Sequence, residues 1–419
     1  MFKELDIRGK YPSEINEQKM LALGSALSKS APKLIAGMDY RKNNHSLFKS
    51  FAGGFGKEIV FLGNVPTPAL AYSAISFGAM FTASHNPSEY AGVKFFRNKT
   101  YLAKAEIEKI KSEFEKINDE FGKNEGRGGK IASAPKINTS DGILLINNYL
   151  DSLPDVEGGI FDLCGGAVCA LKELFPRRIF DSPDPEYEKH SAEPKDDTLG
   201  ALKKETDSHD LLGFAFDGDG DRLQIVDNGK LIEGDVTAAF VAENHLKGSD
   251  RIVLSIDCRQ EVFDFVDDLG LKAITSKVGD AYVVEKSLQV SAIFSAERSG
   301  HFTFYNHAPN SDGIYAAAIL SENKAGEFFK FARQFKNITY KEELFYKADF
   351  EKLKELLQEK AEKIEIIDGV KAKFENFTLL IRQSTTEPKI RINSEAKTAE
   401  KAKEGMGLAK EAINKCKTR

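Results

Sequence analysis

Phe214-Ala215-Phe216-Asp217-Gly218-Asp219-Gly220-Asp221-Arg222-Leu223-Gln224-Ile225-Val226 sets three carboxylates at alternate positions between two apolar runs. The runs read as strands. They aim the acidic loop at a sheet edge, where α/β proteins bind ligands. Three oxygens on a glycine-spaced loop can converge on one hard cation. Without a cation the three charges would repel one another. An EF-hand is excluded, because counting from Asp217 its glycine and glutamate positions hold Arg222 and Asn228. A solvated acidic turn stays open on these residues alone.

Working outward, Phe81-Thr82-Ala83-Ser84-His85-Asn86-Pro87 is a second strand-to-loop passage. Pro87 pushes Asn86 out of helical geometry, so Ser84 is expected on a tight loop. A serine hydroxyl is a poor nucleophile unless a neighbour takes its proton or neutralises developing charge. Taken alone, the segment also suits an ordinary capped turn. Upstream, Leu34–Met38 and Ile59–Leu62 read as buried strands, and Met20, Leu23 and Leu27 as one face of a helix. Gly63–Pro68 reads as a rigid loop. Ile107, Ile110, Phe114 and Ile117 mark an amphipathic helix. This order of strands and helices predicts α/β layers.

Gly126, Gly128 and Gly129 lie in a polar stretch ending at Pro135, the first expected boundary. The reading gives α/β domains at 1–135, 136–231 and 232–335, and a smaller α+β domain at 336–419. In the third, Lys277-Val278-Gly279-Asp280 lies between two strands, and Glu297-Arg298-Ser299-Gly300-His301 follows the second. In the last, Leu353, Leu356, Leu357 and Ile364 read as a helix and Phe377, Leu379 and Ile381 as a strand. Arg382-Gln383-Ser384-Thr385-Thr386-Glu387-Pro388 reads as a loop. With Arg391 it offers two guanidinium forks and three hydroxyls, a set suited to a phosphate dianion.

The chain has 419 residues, 41% hydrophobic and 29% charged, with a net charge of −5. That balance gives no electrostatic reason to expect nucleic acid. No apolar run is long enough to span a membrane, and the acidic start is unlike a signal peptide. The four scattered cysteines read as free thiols of a cytoplasmic protein. Oligomeric state leaves no signal in the sequence. Together the loops offer a nucleophile, a cation site, a hydroxyl reader and a phosphate clamp. That set fits phosphoryl transfer between a serine and a phosphorylated polyol, which depends on positioning and charge neutralisation.

The four loops, in this order and spacing, resemble the α-D-phosphohexomutase family, most closely its phosphomannomutase/phosphoglucomutase branch, across the whole chain. The resemblance implies four domains around a central cleft, three of them similar, with the last closing over the sugar. It implies interconversion of hexose 1-phosphate and hexose 6-phosphate, with hexose 1,6-bisphosphate as intermediate and activator. Ser84 would carry the phosphoryl group. Asp217, Asp219 and Asp221 would hold Mg²⁺ together with it. Glu297 and Ser299 would read sugar hydroxyls, and Arg382, Ser384, Thr385, Thr386 and Arg391 would grip the phosphate that is not reacting. Arg8, His85, Lys94, Arg222, Lys277 and His301 would line the cleft, with a general acid/base among them. Ala91, Ser295-Ala296, Gln383 and Ala192-Glu193 depart from the family pattern, but none removes a reacting or metal-binding group. A phosphoglucosamine mutase is an alternative. A metal-dependent sugar-phosphate phosphatase is another, since Asp217-Gly218-Asp219 resembles an aspartyl nucleophile, but it leaves the serine loop without a purpose. A non-catalytic sugar-phosphate sensor would bind without turnover.

Overall fold

The computed structural model describes residues 1–123, 134–248, 250–345, 347–383 and 389–418. The chain forms two compact units, Met1–Gly234 with Ser299–Phe329, and Asp235–Arg298 with Lys330–Arg419.

The first unit opens with β1 (Ile7–Lys10), α1 (Glu17–Ser28), β2 (Lys33–Met38), α2 (Asn44–Phe55), β3 (Glu58–Asn64), α3 (Thr67–Ser73), β4 (Phe77–Phe81) and β5 (Tyr90–Arg97). β6 (Thr100–Tyr101), α4 (Lys104–Lys123), β7 (Ile137–Asn138) and α5 (Ser140–Leu150) follow. The sheet order is β1-β5-β4-β2-β3-β7, with β6 on β5. β2 is parallel to β3 and β4, whereas β5 turns back antiparallel to β4. Strand runs such as Leu34-Ile35-Ala36 are buried because helices cover them. α1 and α2 cross at glycines. A Cβ on Gly24 would lie 2.0 Å from the Phe51 carbonyl oxygen, and one on Gly54 1.9 Å from that of Leu21.

The layer continues past residue 135. β7 pairs with β3, and α5 lies so close that a Cβ on Gly142 would meet the Phe61 carbonyl oxygen at 2.4 Å. The glycines of the expected boundary lie outside the described residues.

A second sheet follows from β8 (Ile160–Asp162), β9 (Arg178–Ile179), β10 (Gly213–Phe216), β11 (Leu223–Asp227) and β12 (Lys230–Ile232), in the order β12-β11-β10-β8-β9. It repeats a motif of the first. A strand parallel to its neighbour runs into a loop, and the chain returns antiparallel: β4 to β5 in the first sheet, β10 to β11 here. The two loops carry Ser84 and the three aspartates.

In the second unit, Lys272–Ser276, Arg251–Ser255 and Phe294–Ala296 are parallel strands, accompanied by helices Gln260–Asp268 and Asp280–Val290. The last layer is antiparallel, in the order Ile338–Leu344, Ile390–Ala396, Thr378–Gln383, Val370–Lys373 and Lys363–Ile366. Helices Phe350–Gln358 and Ala399–Lys415 close its core. Among the described residues no helix is long and apolar enough to cross a membrane.

Three local expectations are corrected. Thr67 and Pro68 are not loop. They start α3, because a proline in a first helical turn gives up no hydrogen bond the helix needs. Ile364 lies in a strand, its helix having ended at Gln358. Arg382 and Gln383 are strand residues, since pairing with Arg391 and Ile390 prolongs the ladder.

Candidate active site

Ser84 follows β4 by three residues and is buried, 2% exposed. Its backbone is left-handed, with φ of 52°. That costs a non-glycine residue roughly 1–2 kcal/mol. The neighbours over-determine the conformation: the Ser84 N–H donates to Thr82 Oγ1 at 2.8 Å, and the Asn86 N–H to the Ala83 carbonyl at 3.1 Å. Strain held this way occurs where a reactive side chain must be aimed.

The Ser84 hydroxyl is aimed at the aspartate loop, donating to Asp217 Oδ2 at 2.9 Å. Gly218 makes the approach possible, because a Cβ there would sit 2.6 Å from the Ser84 carbonyl oxygen. Asp217, Asp219 and Asp221 are each fully buried, and one oxygen from each lies within 4.8 Å of the others. Burial, and then the charges of Asp221 and Asp219, push the Asp217 carboxyl well above the usual carboxylate range. Lys94, on β5, partly offsets the repulsion, with Nζ 2.9 Å from Asp219 Oδ2 and 2.5 Å from Asp221 Oδ2.

Asp219 Oδ1 is buried with no hydrogen-bond partner among the described residues. A buried acceptor of that kind is costly unless something binds it. Hard, convergent oxygen donors beside a hydroxyl that would carry phosphate are the ligand chemistry of Mg²⁺. These residues therefore fit the ion.

Two histidines flank the loops. His85 Nδ1 lies 3.3 Å from Ser84 Oγ. Burial, with Arg222, Arg8, His301 and Lys94 nearby, holds its pKa well below 6.5, so the imidazole is neutral. His301 Nε2 is 3.3 Å from Asp221 Oδ1 and accepts from Arg222 Nε at 3.2 Å, while its Nδ1 is 3.1 Å from the Ser299 hydroxyl. Arg8 donates to Asn86 Oδ1 at 3.1 Å on the serine loop and to Asp6 at 2.7 Å. The first unit thus gathers Arg8, Ser84, His85, Lys94, the three aspartates, Arg222, Ser299 and His301.

In the second unit Glu297 is 2% exposed, and its Oε1 accepts from the Gly279 N–H at 2.6 Å. Lys277 Nζ lies over the Tyr282 ring, 5.4 Å from its centroid. Arg382 and Arg391 stand directly opposite each other on paired strands. Like charges so placed are destabilising unless anions accompany them. Here Arg382 pairs with Asp368, and Arg391 Nε lies 3.1 Å from Glu343 Oε1. Ser384, Thr385 and Thr386 lie outside the described residues.

Sequence reasoning missed Thr67. Its hydroxyl donates to Asp219 Oδ2 at 2.6 Å and its N–H to the Asp219 carbonyl at 2.8 Å, so the start of α3 fixes the middle aspartate. The two prolines around Thr67 signalled rigidity, but nothing local signalled that partner.

The segment that carries His190 also supports the aspartate loop. The neighbouring Ala192 carbonyl accepts the Gly218 N–H at 2.9 Å, and His190 Nε2 makes a 3.1 Å ion-pair contact with buried Asp162, without the alignment of a hydrogen bond. Burial pulls the His190 pKa down. Asp162 and the Ser191 carbonyl outweigh it, and the net shift is upward from 6.5. A raised pKa stabilises the fold fully below the unfolded value, and the benefit fades as pH climbs through the folded value. His190→Asn is therefore less stable than wild type at about pH 6, and denaturant titrations show the gap narrowing toward about pH 8.

Profiles described as phosphoglucomutase/phosphomannomutase alpha/beta/alpha domain I, alpha/beta/alpha domain III and C-terminal domain match residues 1–121, 233–336 and 337–407. The chain is 30% identical to a phosphomannomutase of Methanocaldococcus jannaschii, over 99% of this chain and 98% of that one. It is 31% identical to a probable phosphoglucosamine mutase of Methanocella arvoryzae, with the same coverage. Among solved structures, a phosphoglucomutase/phosphomannomutase family protein of Burkholderia thailandensis superposes with a TM-score of 0.85 at 21% identity, covering 99% of this chain and 96% of that one. Three domain profiles, near-complete alignment with the relatives and a serine loop set against an aspartate triad lead to one conclusion: the chain belongs to the α-D-phosphohexomutase family and is a mutase, an intramolecular phosphotransferase.

Proposed function

We propose that this mutase interconverts hexose 1-phosphate and hexose 6-phosphate, of mannose, glucose or both, by way of a phosphoryl group carried on Ser84. The observation that carries the reading is the Ser84 hydroxyl 2.9 Å from Asp217 Oδ2 within the three-carboxylate cluster. Phospho-Ser84 donates first. The P–Oγ bond breaks as the free sugar hydroxyl bonds to phosphorus, its proton goes to a base, and the serine oxygen takes up a proton. The product is a hexose 1,6-bisphosphate. After this intermediate turns over, Ser84 takes back the other phosphoryl group by the reverse sequence. His85, whose Nδ1 lies 3.3 Å from Ser84 Oγ, is the proton-transfer group we assign. Arg8, Lys94, Arg222 and His301 of the first unit, and Lys277 of the second, are assigned to substrate binding. Asp217, Asp219 and Asp221 would hold Mg²⁺, which would neutralise charge on the transferring phosphoryl group.

We assign Glu297 of the second unit and Ser299 of the first to the sugar hydroxyls, and in the second unit Arg382 and Arg391 to the phosphate that is not reacting, with Ser384, Thr385 and Thr386. A charge-assisted contact to phosphate contributes roughly 1.5–3 kcal/mol. Arg382→Ala should thus lower kcat/KM by about one to two decades while leaving Mg²⁺ binding unchanged. Steady-state kinetics and metal titration check this, and a variant with wild-type kcat/KM would refute the assignment. We place domain limits near residues 150, 232 and 336, where the sheets change. Four buried free thiols suit a reducing compartment, so we assign the enzyme to the cytoplasm.

The relative named probable phosphoglucosamine mutase favours a second reading, in which the sugar carries an amine. Comparing kcat/KM on mannose, glucose and glucosamine 1-phosphates tests the choice. The first reading predicts that glucosamine 1-phosphate is the poorest of the three. If it is the best, the second reading stands.

A further inference from the structure

We infer that Arg41 is a positioning residue for phosphoryl transfer, acting through the main chain of the serine loop; the inference rests on the phosphoserine reading above. Arg41 follows β2 and is only 4% exposed. Its two Nη atoms donate to backbone carbonyls of the serine loop and of Tyr90, the first residue of β5. Nη2 donates to Ser84 at 2.7 Å and to Asn86 at 2.5 Å. Nη1 donates to Pro87 at 2.7 Å and to Tyr90 at 3.2 Å. The remaining donor, Nε, reaches Asp39 Oδ2 at 3.3 Å. Asp39 is itself buried and fixed: its Oδ1 accepts from the Arg41 N–H at 2.9 Å and from Asn44 Nδ2 at 2.6 Å.

A buried guanidinium that binds four carbonyls of the seven-residue span 84–90 restrains the geometry of that segment. Those bonds include the carbonyl of Ser84 itself, whose left-handed φ would otherwise relax. Arg41 holds the carbonyl of Ser84 whereas the hydroxyl donates to Asp217, so its effect on the nucleophile runs through the main chain. Tyr187 ties this support to the second loop. Its ring covers the guanidinium at 5.1 Å, and its hydroxyl reaches the Gly218 carbonyl, at 3.4 Å, between Asp217 and Asp219. One side-chain pair thus sets both the loop that carries the phosphoryl group and the loop that faces it. Lysine cannot replace arginine here, since one ammonium has three donors and no planar fork.

The test compares wild type, Arg41→Met, Arg41→Lys and Tyr187→Leu. Misplacing a reacting atom by about 1 Å costs about 100-fold, so Arg41→Met should lose about 100-fold in kcat with KM for hexose 1-phosphate and Mg²⁺ affinity unchanged. Amide hydrogen exchange should quicken across residues 82–90. Arg41→Lys should behave like Arg41→Met. Full rescue by lysine, or wild-type kcat in Arg41→Met, overturns the inference. If Arg41→Met does not fold, Tyr187→Leu decides: about a tenfold loss in kcat at constant KM supports the inference, and wild-type kcat overturns it. Single-turnover labelling by hexose 1,6-bisphosphate separates the two claims. An unlabelled wild type removes the phosphoserine reading and this inference with it. A labelled wild type with an equally fast Arg41→Met overturns this inference alone.

Discussion

Replacing Ser84 with alanine should lower mutase turnover by about 10⁴-fold or more, because the variant lacks the atom that carries the phosphoryl group between half-reactions. The substitution removes one oxygen, which donates to Asp217 and lies near His85. Alanine keeps the Cβ, so unfolding curves should stay close to wild type. Binding should survive as well, since the groups assigned to sugar and distal phosphate are untouched. The expected pattern is a folded protein that binds hexose 1-phosphate and does not convert it. Steady-state assays with calorimetric titration of substrate measure both parts. A Ser84→Ala variant turning over within tenfold of wild type would mean that phosphate travels by another route.

Asp219→Asn should be the second large loss. Asp219 contributes one of three buried carboxylates, and its Oδ2 already receives Thr67 and Lys94. The substitution should cost turnover about 10³-fold, as expected when charge aimed at a transferring phosphoryl group is disordered. Chelation of Mg²⁺ should reduce wild-type activity as severely, and added Mg²⁺ should restore it. A readout independent of activity comes from stability. Asp217 is pushed upward by burial and by the charges of Asp221 and Asp219, so the metal-free cluster opposes folding. Metal-free Asp219→Asn should then melt no lower than metal-free wild type, while the gain in Tm on adding Mg²⁺ shrinks. An undiminished Mg²⁺-induced shift would exclude Asp219 as a ligand.

The parts legible in the sequence were those in which a local pattern does the work. Apolar runs broken by Asp217-Gly218-Asp219 and by Ser84-His85-Asn86-Pro87 announced strand, loop and chemistry together, and both loops sit at strand ends. What was hidden depends on contacts across the chain. Thr67 meets Asp219 at a separation of 152 residues, and Arg41 meets the serine loop more than 40 residues away. Neither has a periodicity or a spacing to betray it. Ile364 and the start of α3 were misread for another reason. An apolar residue four or more positions beyond a helical stripe matches that stripe by eye, and only its pairing with Ala372 reveals a strand. Two prolines in six residues look like a loop until one is seen to occupy a first helical turn.

The central claim, that Ser84 carries the phosphoryl group, is tested most directly by mapping the label. The dephosphorylated enzyme is incubated with a hexose 1,6-bisphosphate and Mg²⁺, digested and analysed by mass spectrometry, then challenged with hexose 1-phosphate. The account predicts phosphate on the peptide that contains Ser84, stable to hydroxylamine and discharged by the sugar monophosphate. A hydroxylamine-labile label on the peptide containing Asp217, with release of free phosphate, would contradict it and identify an aspartyl-phosphate enzyme instead.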